Sequence, residues 1–274
     1  MENADVIKAA HALMEEHEAQ LRFHPFAQEF HIAEIDAAYA VQREYVRLQR
    51  QSRGAAPIGY KVGLTSPRMQ AMCGIDSPIA GVVLADRVRQ SGARIRASDY
   101  GRLGLEFEIA VRLGRDLGGY GRPVALSDVA RAIEAVCPAM ELVDDRACDY
   151  ATLDVFSLVA DNSWNAGIVL GEFQSRWSDL AEIEGLISVD GAVVDRGFGR
   201  EVLSHPLHSV AWLAEHLAKT ADVLRAGDIV MTGNLVATKF PAESSSYRFE
   251  LAGLGAVDLS IVAGALEQTP VGLR

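Results

Sequence analysis

The sequence has little cysteine and no excess of positive charge. Its 274 residues include three cysteines, Cys73, Cys137 and Cys148, and no pair of them has zinc-ligand or C-x-x-C spacing. This pattern is typical of reduced thiols in a cytoplasmic protein and predicts no disulfide framework. The net charge of −11 argues against binding to a nucleic-acid backbone, which needs clustered lysines and arginines. It still permits a locally positive site for a small anion.

Long apolar runs and familiar catalytic motifs are also missing. No stretch approaches membrane-spanning length, and "MENADVIKAAHALMEEHEAQ" has no basic region followed by an apolar one. We therefore expect a soluble, cytoplasmic protein that binds neither membranes nor nucleic acids. The motifs H-E-x-x-H and G-x-S-x-G and the Walker loop do not occur.

The composition, 49% hydrophobic and 23% charged, is that of a globular protein. Helices are predicted over 4–20 and 32–52, separated by a break at Pro25, because apolar residues recur in the second at spacings of three and four. The histidines of this region are expected on solvated faces. Residues 1–57 are thus interpreted as an N-terminal helical segment and 58–274 as one larger domain.

Strands dominate after residue 58. Strands are predicted at 58–65, in "LEFEIAVRL", at 139–145, and in "DIVMTG", "YRFELAG" and "GAVDLSIV"; helices are predicted at 66–74, 126–137 (with Ser127 as N-cap) and 209–220. The segments "GVVLADRV" and "ARIRASD" indicate a hairpin or meander. This order favours an α+β fold around a mixed or antiparallel sheet.

Two carboxylates lie on one face of an otherwise apolar strand. In "GLEFEIAVRL", alternation places Glu106 and Glu108 on one side, with Cα atoms roughly 6.5–7 Å apart. A third glutamate, Glu141, lies in the apolar strand "AMELVDD" about 30 residues later. Three carboxylates without His or Cys indicate a site for a hard cation such as Mg²⁺ or Mn²⁺. The same alternation is also typical of the solvated face of an edge strand.

A lysine lies between two glycines. In "GYKVGLT", Lys61 shares its strand face with Gly59 and Gly63, and glycine inside a strand often marks the close approach of a ligand. Lys61 in such a cleft is a candidate base or carboxylate anchor, although a solvent-facing lysine fits the spacing as well. In "VADNSWN", the polar residues are expected either to line a pocket or to form a turn, and Trp164 to be core or pocket wall.

The order of these motifs resembles a known group. The motifs are "GYKVGLTSPRMQ", "EFEIAVRL", "PAMELVDDR", "VADN" and "HPLHSVAWLAEHLA…AGDIVMTG". The series is similar to the 2-keto-4-pentenoate hydratase and 4-oxalocrotonate decarboxylase group of the fumarylacetoacetate hydrolase superfamily, from about residue 32 to the C-terminus.

The resemblance implies a fold, a metal site and a reaction. It implies a mixed β-roll with an N-terminal helical part, homo-oligomers, and Mg²⁺ or Mn²⁺ on Glu106, Glu108 and Glu141, with Lys61 in the active site. The implied substrate is a small 2-oxo or 2-hydroxy-dienoic acid. A hydratase would add water to it, and a decarboxylase would remove carbon dioxide from a related 2-oxo diacid. A metal-binding relative with altered or no catalysis is the third hypothesis.

Departures from the group's pattern lie where the substrate would be bound. "SPIAG" has Ile79 where hydratases of the group have an acid, which favours the decarboxylase branch. "DNSWN" has Trp164 where a small hydroxyl residue is expected, and "TGNLVATKFPAESSS" also differs. The resemblance implies Ser163 as a further catalytic residue. The implied substrate-binding residues are Ile79, Asp161, Asn162, Trp164, Thr232 and Asn234.

Overall fold

Two β-sheets lie at the centre of the computed structural model, which describes residues 3–119, 121–242 and 244–263. The helices are α1 Asn3–Glu18, α2 Ile35–Arg53, α3 Pro67–Met72, α4 Leu126–Ala132, α5 Val155–Ala160 and α6 Pro206–Ala218. The strands are β1 Pro57–Gly63, β2 Ile79–Leu84, β3 Val88–Gln90, β4 Ala93–Ile95, β5 Leu103–Leu113, β6 Ile133–Asp144, β7 Asn165–Leu170, β8 Glu184–Val189, β9 Ala192–Phe198, β10 Ile229–Asn234, β11 Ser246–Leu251 and β12 Gly255–Ile261.

Both sheets mix parallel and antiparallel pairs. The larger has the order β2-β1-β10-β5-β6-β7-β3, and the smaller has the order β4-β12-β11-β8-β9. β1 runs parallel to β10 and β3 parallel to β7, whereas the four strands from β10 to β7 pair antiparallel. The predicted α+β fold around a mixed sheet is therefore confirmed.

The residues of the candidate site lie at one end of the larger sheet, where several of its strands begin or end. Because of the strand directions, the C-terminal ends of β1, β10 and β6 meet the N-terminal ends of β2, β5 and β7 there. The sheet also curls, so that β2 contacts β7. The face of the larger sheet that carries Phe107 is apolar. Phe107 packs edge to face against Phe249 of the smaller sheet, with ring centroids 5.6 Å apart. The main core lies between the apolar faces of the two sheets.

The N-terminal helices share this core. Leu13 of α1 and Tyr45 of α2 are almost fully buried and belong to the same apolar cluster as the sheet residues. The division of the chain at residue 57 stays a prediction. No helix within the described ranges combines the length and apolar character needed to cross a bilayer.

The predicted helix 126–137 is wrong in its second half. α4 ends at Ala132, and β6 begins at Ile133, which pairs with Leu113 of β5. Tertiary pairing along β5 overrides the helical spacing of this alanine-rich segment. Ser127 is not the N-cap either. The helix starts after Ala125, whose N–H donates to the carboxylate of Asp128.

The predicted hairpin or meander at 81–99 is also wrong. β3 pairs with β7 in the larger sheet, whereas β4 pairs with β12 in the smaller one. The turn between them bonds to both sheets, since the Ser91 N–H donates to Leu170 O and the Gly92 N–H to Asp258 O. The turn therefore passes the chain from one sheet to the other.

Candidate metal centre

Three glutamates converge on one face of the larger sheet. Glu106 of β5 lies directly opposite Glu141 of β6, and Glu108 is two residues further along β5. Each offers a carboxylate oxygen within 4.8 Å of the other two. Glu108 and Glu141 are completely buried, and Glu106 is half-buried. We call these residues the carboxylate cluster.

Lys61 reaches the cluster from β1. Its Nζ lies 3.2 Å from Glu141 Oε1, and the residue is only 4% exposed. A Cβ at Gly81 would lie 2.6 Å from the Asn162 carbonyl oxygen, so the Asn162 backbone requires a glycine there; the same Cβ would lie a tight 3.2 Å from Lys61 Cγ. A Cβ at Gly63 would lie 3.3 Å from Lys61 Nζ and 3.4 Å from Ile79 Cγ1, which places Ile79 in the same recess.

Each glutamate accepts one bond from a neighbouring segment. The Gly233 N–H donates to Glu108 Oε2 (2.8 Å), Asn165 Nδ2 to Glu141 Oε1 (2.9 Å), and Thr238 Oγ1 to Glu106 Oε1 (2.6 Å). These bonds leave Glu108 Oε1 and Glu141 Oε2 buried with no hydrogen-bond partner in the described part of the chain. Buried acceptors of this kind are destabilising unless a donor or a cation meets them.

The cluster carries more negative than positive charge. Burial, with repulsion from Glu141 and Glu106, holds the pKa of Glu108 well above its usual range. Burial also raises the pKa of Glu141 to about 7. For Lys61, burial acts to lower the pKa, but Glu141, Glu106 and Glu108 outweigh it and the pKa is raised. Three acids around one ammonium group, with two free oxygens, fit a hard divalent cation.

The segment "DNSWN" lies across the start of β2. Asn162 bonds through its side chain to both backbone groups of Val82 (2.7 and 2.9 Å), and Ser163 Oγ donates to Ala80 O (3.0 Å). Asn162, Ser163 and Trp164 have φ values of +48°, +50° and +59°, a left-handed turn that side-chain-bearing residues rarely adopt. Ser163 Oγ is thus committed to the backbone, and its catalytic role stays a prediction.

Asp161 and Trp164 contact the N-terminal region and the segment that follows β6. Asp161 accepts from Arg146 Nη2 (2.8 Å) and bonds to His17 Nε2 (2.6 Å), so the expectation of a solvated His17 is wrong. Trp164 is 6% exposed and packs edge to face against Phe23 and Tyr150. The predicted substrate contacts of Asp161, Asn162 and Trp164 stay untested.

Thr232 and Asn234 shape the bulge between β10 and β5. Thr232 Oγ1 donates to Ile109 O (2.8 Å), and Asn234 Oδ1 accepts from the N–H of Phe107 (3.0 Å). The strand register shifts between Met231 and Asn234, where the Gly233 N–H donates to Glu108. These side chains therefore hold the strand that supports the cluster, and their predicted contact with substrate stays a prediction.

A model of the fumarylacetoacetate (FAA) hydrolase C-terminal family matches residues 61–262, about three quarters of the chain. The chain belongs to this family. The resemblance inferred from the motifs is confirmed.

Relatives within the FAA hydrolase family cover nearly the whole chain. The "TodF product hydratase" of Pseudomonas putida is 34% identical over 92% of this chain and 93% of its own. "2-keto-4-pentenoate hydratase 1" of Dechloromonas aromatica is 35% identical over 94% and 98%. A solved structure of 4-oxalocrotonate decarboxylase from Pseudomonas putida G7, complexed with magnesium and adipate, superimposes with a TM-score of 0.89, at 30% identity, over 96% of this chain and 99% of that one.

Local sequence does not indicate the donors that hold the glutamates of this FAA hydrolase family member. Asn165 is the last residue of "DNSWN", and no local pattern predicts that its side chain bonds to Glu141. Gly233 and Thr238 lie in or after the β10 bulge, where no periodic pattern indicates direction. Only the register of β10 against β5 brings them to the cluster.

Proposed function

We propose that this protein is a divalent-metal-dependent hydro-lyase that adds water to a short 2-hydroxy-2,4-dienoate of the 2-keto-4-pentenoate type. The product is a 4-hydroxy-2-oxo acid in the breakdown of aromatic compounds. The observation that carries the proposal is the convergence of three carboxylates with two unpartnered buried oxygens. The hydratases that match more than nine tenths of the chain support the reaction type.

Glu106, Glu108 and Glu141 would hold the metal. Their all-oxygen donor set suits Mg²⁺ or Mn²⁺, and the related decarboxylase structure contains magnesium. A bound ion supplies Lewis acidity toward the carboxylate and the 2-oxygen of the substrate. The hydrogen bonds from Asn165, Gly233 and Thr238 orient the glutamates.

Lys61 would act on the substrate through Nζ. Its raised pKa keeps it an ammonium group, which can hold a substrate carboxylate or donate a proton during ketonisation of the dienol. Gly63 and Gly81 leave the space through which the side chain extends. Burial of the group excludes bulk water from that proton.

Decarboxylation of a 4-oxalocrotonate-type 2-oxo diacid is the second candidate. It is favoured by the close superposition on a 4-oxalocrotonate decarboxylase and by Ile79, whose apolar side chain lies beside Lys61 where an acid would serve to activate water. The metal and the lysine would take the same positions in this reaction.

A mass-resolved assay distinguishes the reactions. Purified protein with Mg²⁺ would be incubated with 2-hydroxypenta-2,4-dienoate and, separately, with a 2-oxo-hexenedioate. A product heavier by one water supports the hydratase, and loss of carbon dioxide from the diacid supports the decarboxylase. Turnover of neither substrate, with Mg²⁺ bound, would refute both and leave a metal-binding relative. The Glu134→Gln variant should give the same products as the unmodified protein in this assay, because Glu134 is exposed and pairs with Arg112.

The proposal also includes a homo-oligomer in the cytoplasm, as expected from the resemblance. Sedimentation of the purified protein measures the subunit number. A monomer at all concentrations would contradict this part alone.

A further inference from the structure

Lys61 and Glu141 are neighbours in space, although their strands are not neighbours in the sheet. Two strands, β10 and β5, lie between β1 and β6. Adjacent strands are about 4.8 Å apart, so three steps across a flat sheet would separate the two backbones by roughly 14 Å. Lys61 Nζ nevertheless lies 3.2 Å from Glu141 Oε1. The curl of the sheet, and not only the length of the side chains, therefore brings the lysine to the cluster.

The curl closes where β2 meets the segment that leads into β7. β2 is an end strand of the larger sheet, and it contacts both β7 and residues 162–164. We call the contact between β2 and residues 162–165 the seam. Because β2 has a strand on one side only, the backbone groups on its outer edge need partners from elsewhere in the chain.

Side chains take the place of a further strand at this edge. Asn162 Oδ1 accepts from the Val82 N–H (2.7 Å) and Asn162 Nδ2 donates to Val82 O (2.9 Å), as a neighbouring strand would do. At Ala80, the N–H donates to Tyr39 Oη of α2 (3.0 Å), and the carbonyl oxygen accepts from Ser163 Oγ (3.0 Å). The Val82 amide is thus held by the seam, and the Ala80 amide by α2.

The main chain of Asn162 reaches both sides of the site. A Cβ at Gly81, which pairs with Lys61 of β1, would lie 2.6 Å from the Asn162 carbonyl oxygen. The same oxygen accepts from the N–H of Asn165, whose side chain donates to Glu141 (2.9 Å). Contacts therefore form a closed ring from Lys61 through Gly81, Asn162 and Asn165 to Glu141, and back to Lys61.

The backbone of the seam does not hold this position by itself. Residues 162–164 have φ values of +48°, +50° and +59°. Such a conformation costs energy for residues with a side chain and persists only where surrounding contacts fix it. Asn162 is 3% exposed, so its two side-chain bonds are shielded from water. Their removal should let the turn relax and the seam open.

We propose that Asn162 is a positioning residue, which holds the seam closed and thereby sets the relative position of Lys61 and Glu141. It acts through Gly81 and Asn165 and needs no contact with metal or substrate. The proposal rests on the metal site of the proposed function but not on the reaction. A closed seam that favours metal binding must, by linkage, be favoured by bound metal to the same extent.

Residue-resolved hydrogen exchange of the unmodified protein tests this linkage without a variant. Saturating Mg²⁺ is expected to slow exchange of the Val82 amide about tenfold relative to protein in EDTA. The Ala80 amide, on the same edge but bonded to Tyr39, is the internal reference and should slow less. Equal slowing of the two amides, or no change at Val82, in protein that binds Mg²⁺ would overturn the proposal alone. A protein that binds no Mg²⁺ would refute the metal site, and this inference with it.

A matched pair of variants separates positioning from support of the fold. Asn162→Gly removes both side-chain bonds but keeps a residue that adopts positive φ freely, and Mg²⁺ affinity in calorimetric titration should fall about tenfold. Ser157→Ala is the control, because buried Ser157 Oγ also accepts from two backbone N–H groups, those of Phe26 and Ala27, and joins α5 to that segment. It should lower the unfolding temperature but leave Mg²⁺ affinity unchanged. Unchanged affinity in Asn162→Gly, or an equal loss in Ser157→Ala, would refute the positioning role.

Discussion

The carboxylate cluster and the ion pairs around Arg146 are both buried, but their charges are balanced differently. Arg146 bonds to Glu16 (2.8 Å) and Asp161 (2.8 Å), and His17 supplies a second positive group when protonated. We call these four residues the arginine network. The carboxylate cluster has three acids, with the single lysine Lys61 beside it and two of its oxygens left without a partner.

The pKa values of the buried acids shift in opposite directions in the two regions. In the network, burial acts to raise the pKa of Asp161, but His17 and Arg146 outweigh it and the pKa is lowered. In the cluster, the pKa of Glu108 is raised. Burial of charge alone therefore does not mark a reactive site, because a balanced group can simply join α1 to the end of α5. Uncompensated charge is the better indicator.

The largest expected effect comes from removing a charge from the cluster. Glu108→Gln keeps the shape of the side chain but weakens the metal site, and we expect metal-dependent turnover to fall roughly a thousandfold, or about 4 kcal/mol. Stability of the metal-free protein should be equal or higher, because one repelling charge is gone. Steady-state kinetics with Mg²⁺ and thermal unfolding in EDTA measure both. Full activity would refute the metal assignment.

Breaking the arginine network should affect folding instead. Arg146→Met leaves Asp161 buried beside His17 alone, and we expect the free energy of unfolding to drop by about 3–5 kcal/mol. Arg200→Met, at an exposed pair, should change it by less than about 1 kcal/mol. Urea unfolding measures both variants. A loss of Mg²⁺ affinity without a loss of stability would reverse the roles given to the two regions.

In the metal-free protein, the contributions of the two regions to stability should depend on pH in opposite ways. The pKa of Glu141 is raised from 4.5 to about 7, so the folded state holds a proton there that the unfolded state has already lost. Stability should therefore fall as pH rises from about 4.5 to 7, by about 3 kcal/mol at most. Asp161, with a lowered pKa, contributes stability that is lost only as pH falls below its usual 3.8.

Thermal unfolding in EDTA across this range tests the pH prediction. Adding Mg²⁺ should flatten the decline, because the ion favours the ionised glutamates. Metal-free stability that rises steadily from pH 4.5 to 7 would contradict the unbalanced charge assigned to the cluster.

The smallest effect is expected from the hydroxyl that supports Glu106. Thr238→Val keeps the volume of the side chain but removes the bond to Glu106 Oε1, and Mg²⁺ affinity should fall about tenfold. Thr220→Val is a matched control, because its hydroxyl bonds to a backbone carbonyl at the end of α6. Calorimetric titration with Mg²⁺ compares the two. Equal affinities would show that Thr238 does not position the ligand.

The sequence predicts those parts of the site that obey strand alternation. Glu106, Glu108 and Lys61 are recognisable because each shares a strand face whose other members are small or charged, while the opposite face is apolar. Glu141 follows because an acid in an apolar strand is unusual. Local sequence marks these residues as candidates, and the resemblance to the family decides between a metal site and a solvated strand face.

The rest depends on long-range pairing that local pattern does not encode. His17 and Asp161 are 144 residues apart, and Thr238 and Glu106 are 132 apart. The end of α4 at Ala132 and the passage of β3 and β4 into different sheets are likewise decided by partner strands. Such contacts follow from the fold as a whole.

The position of β10 has a consequence for synthesis on the ribosome. β10 lies between β1 and β5, so it separates the strand of Lys61 from the strand of Glu106 and Glu108, although all four charged residues of the centre precede it in the chain. A nascent chain that has not yet reached residue 229 contains every one of these groups but lacks the strand that spaces them. Lys61 therefore takes its place beside the glutamates only after β10 has been synthesised.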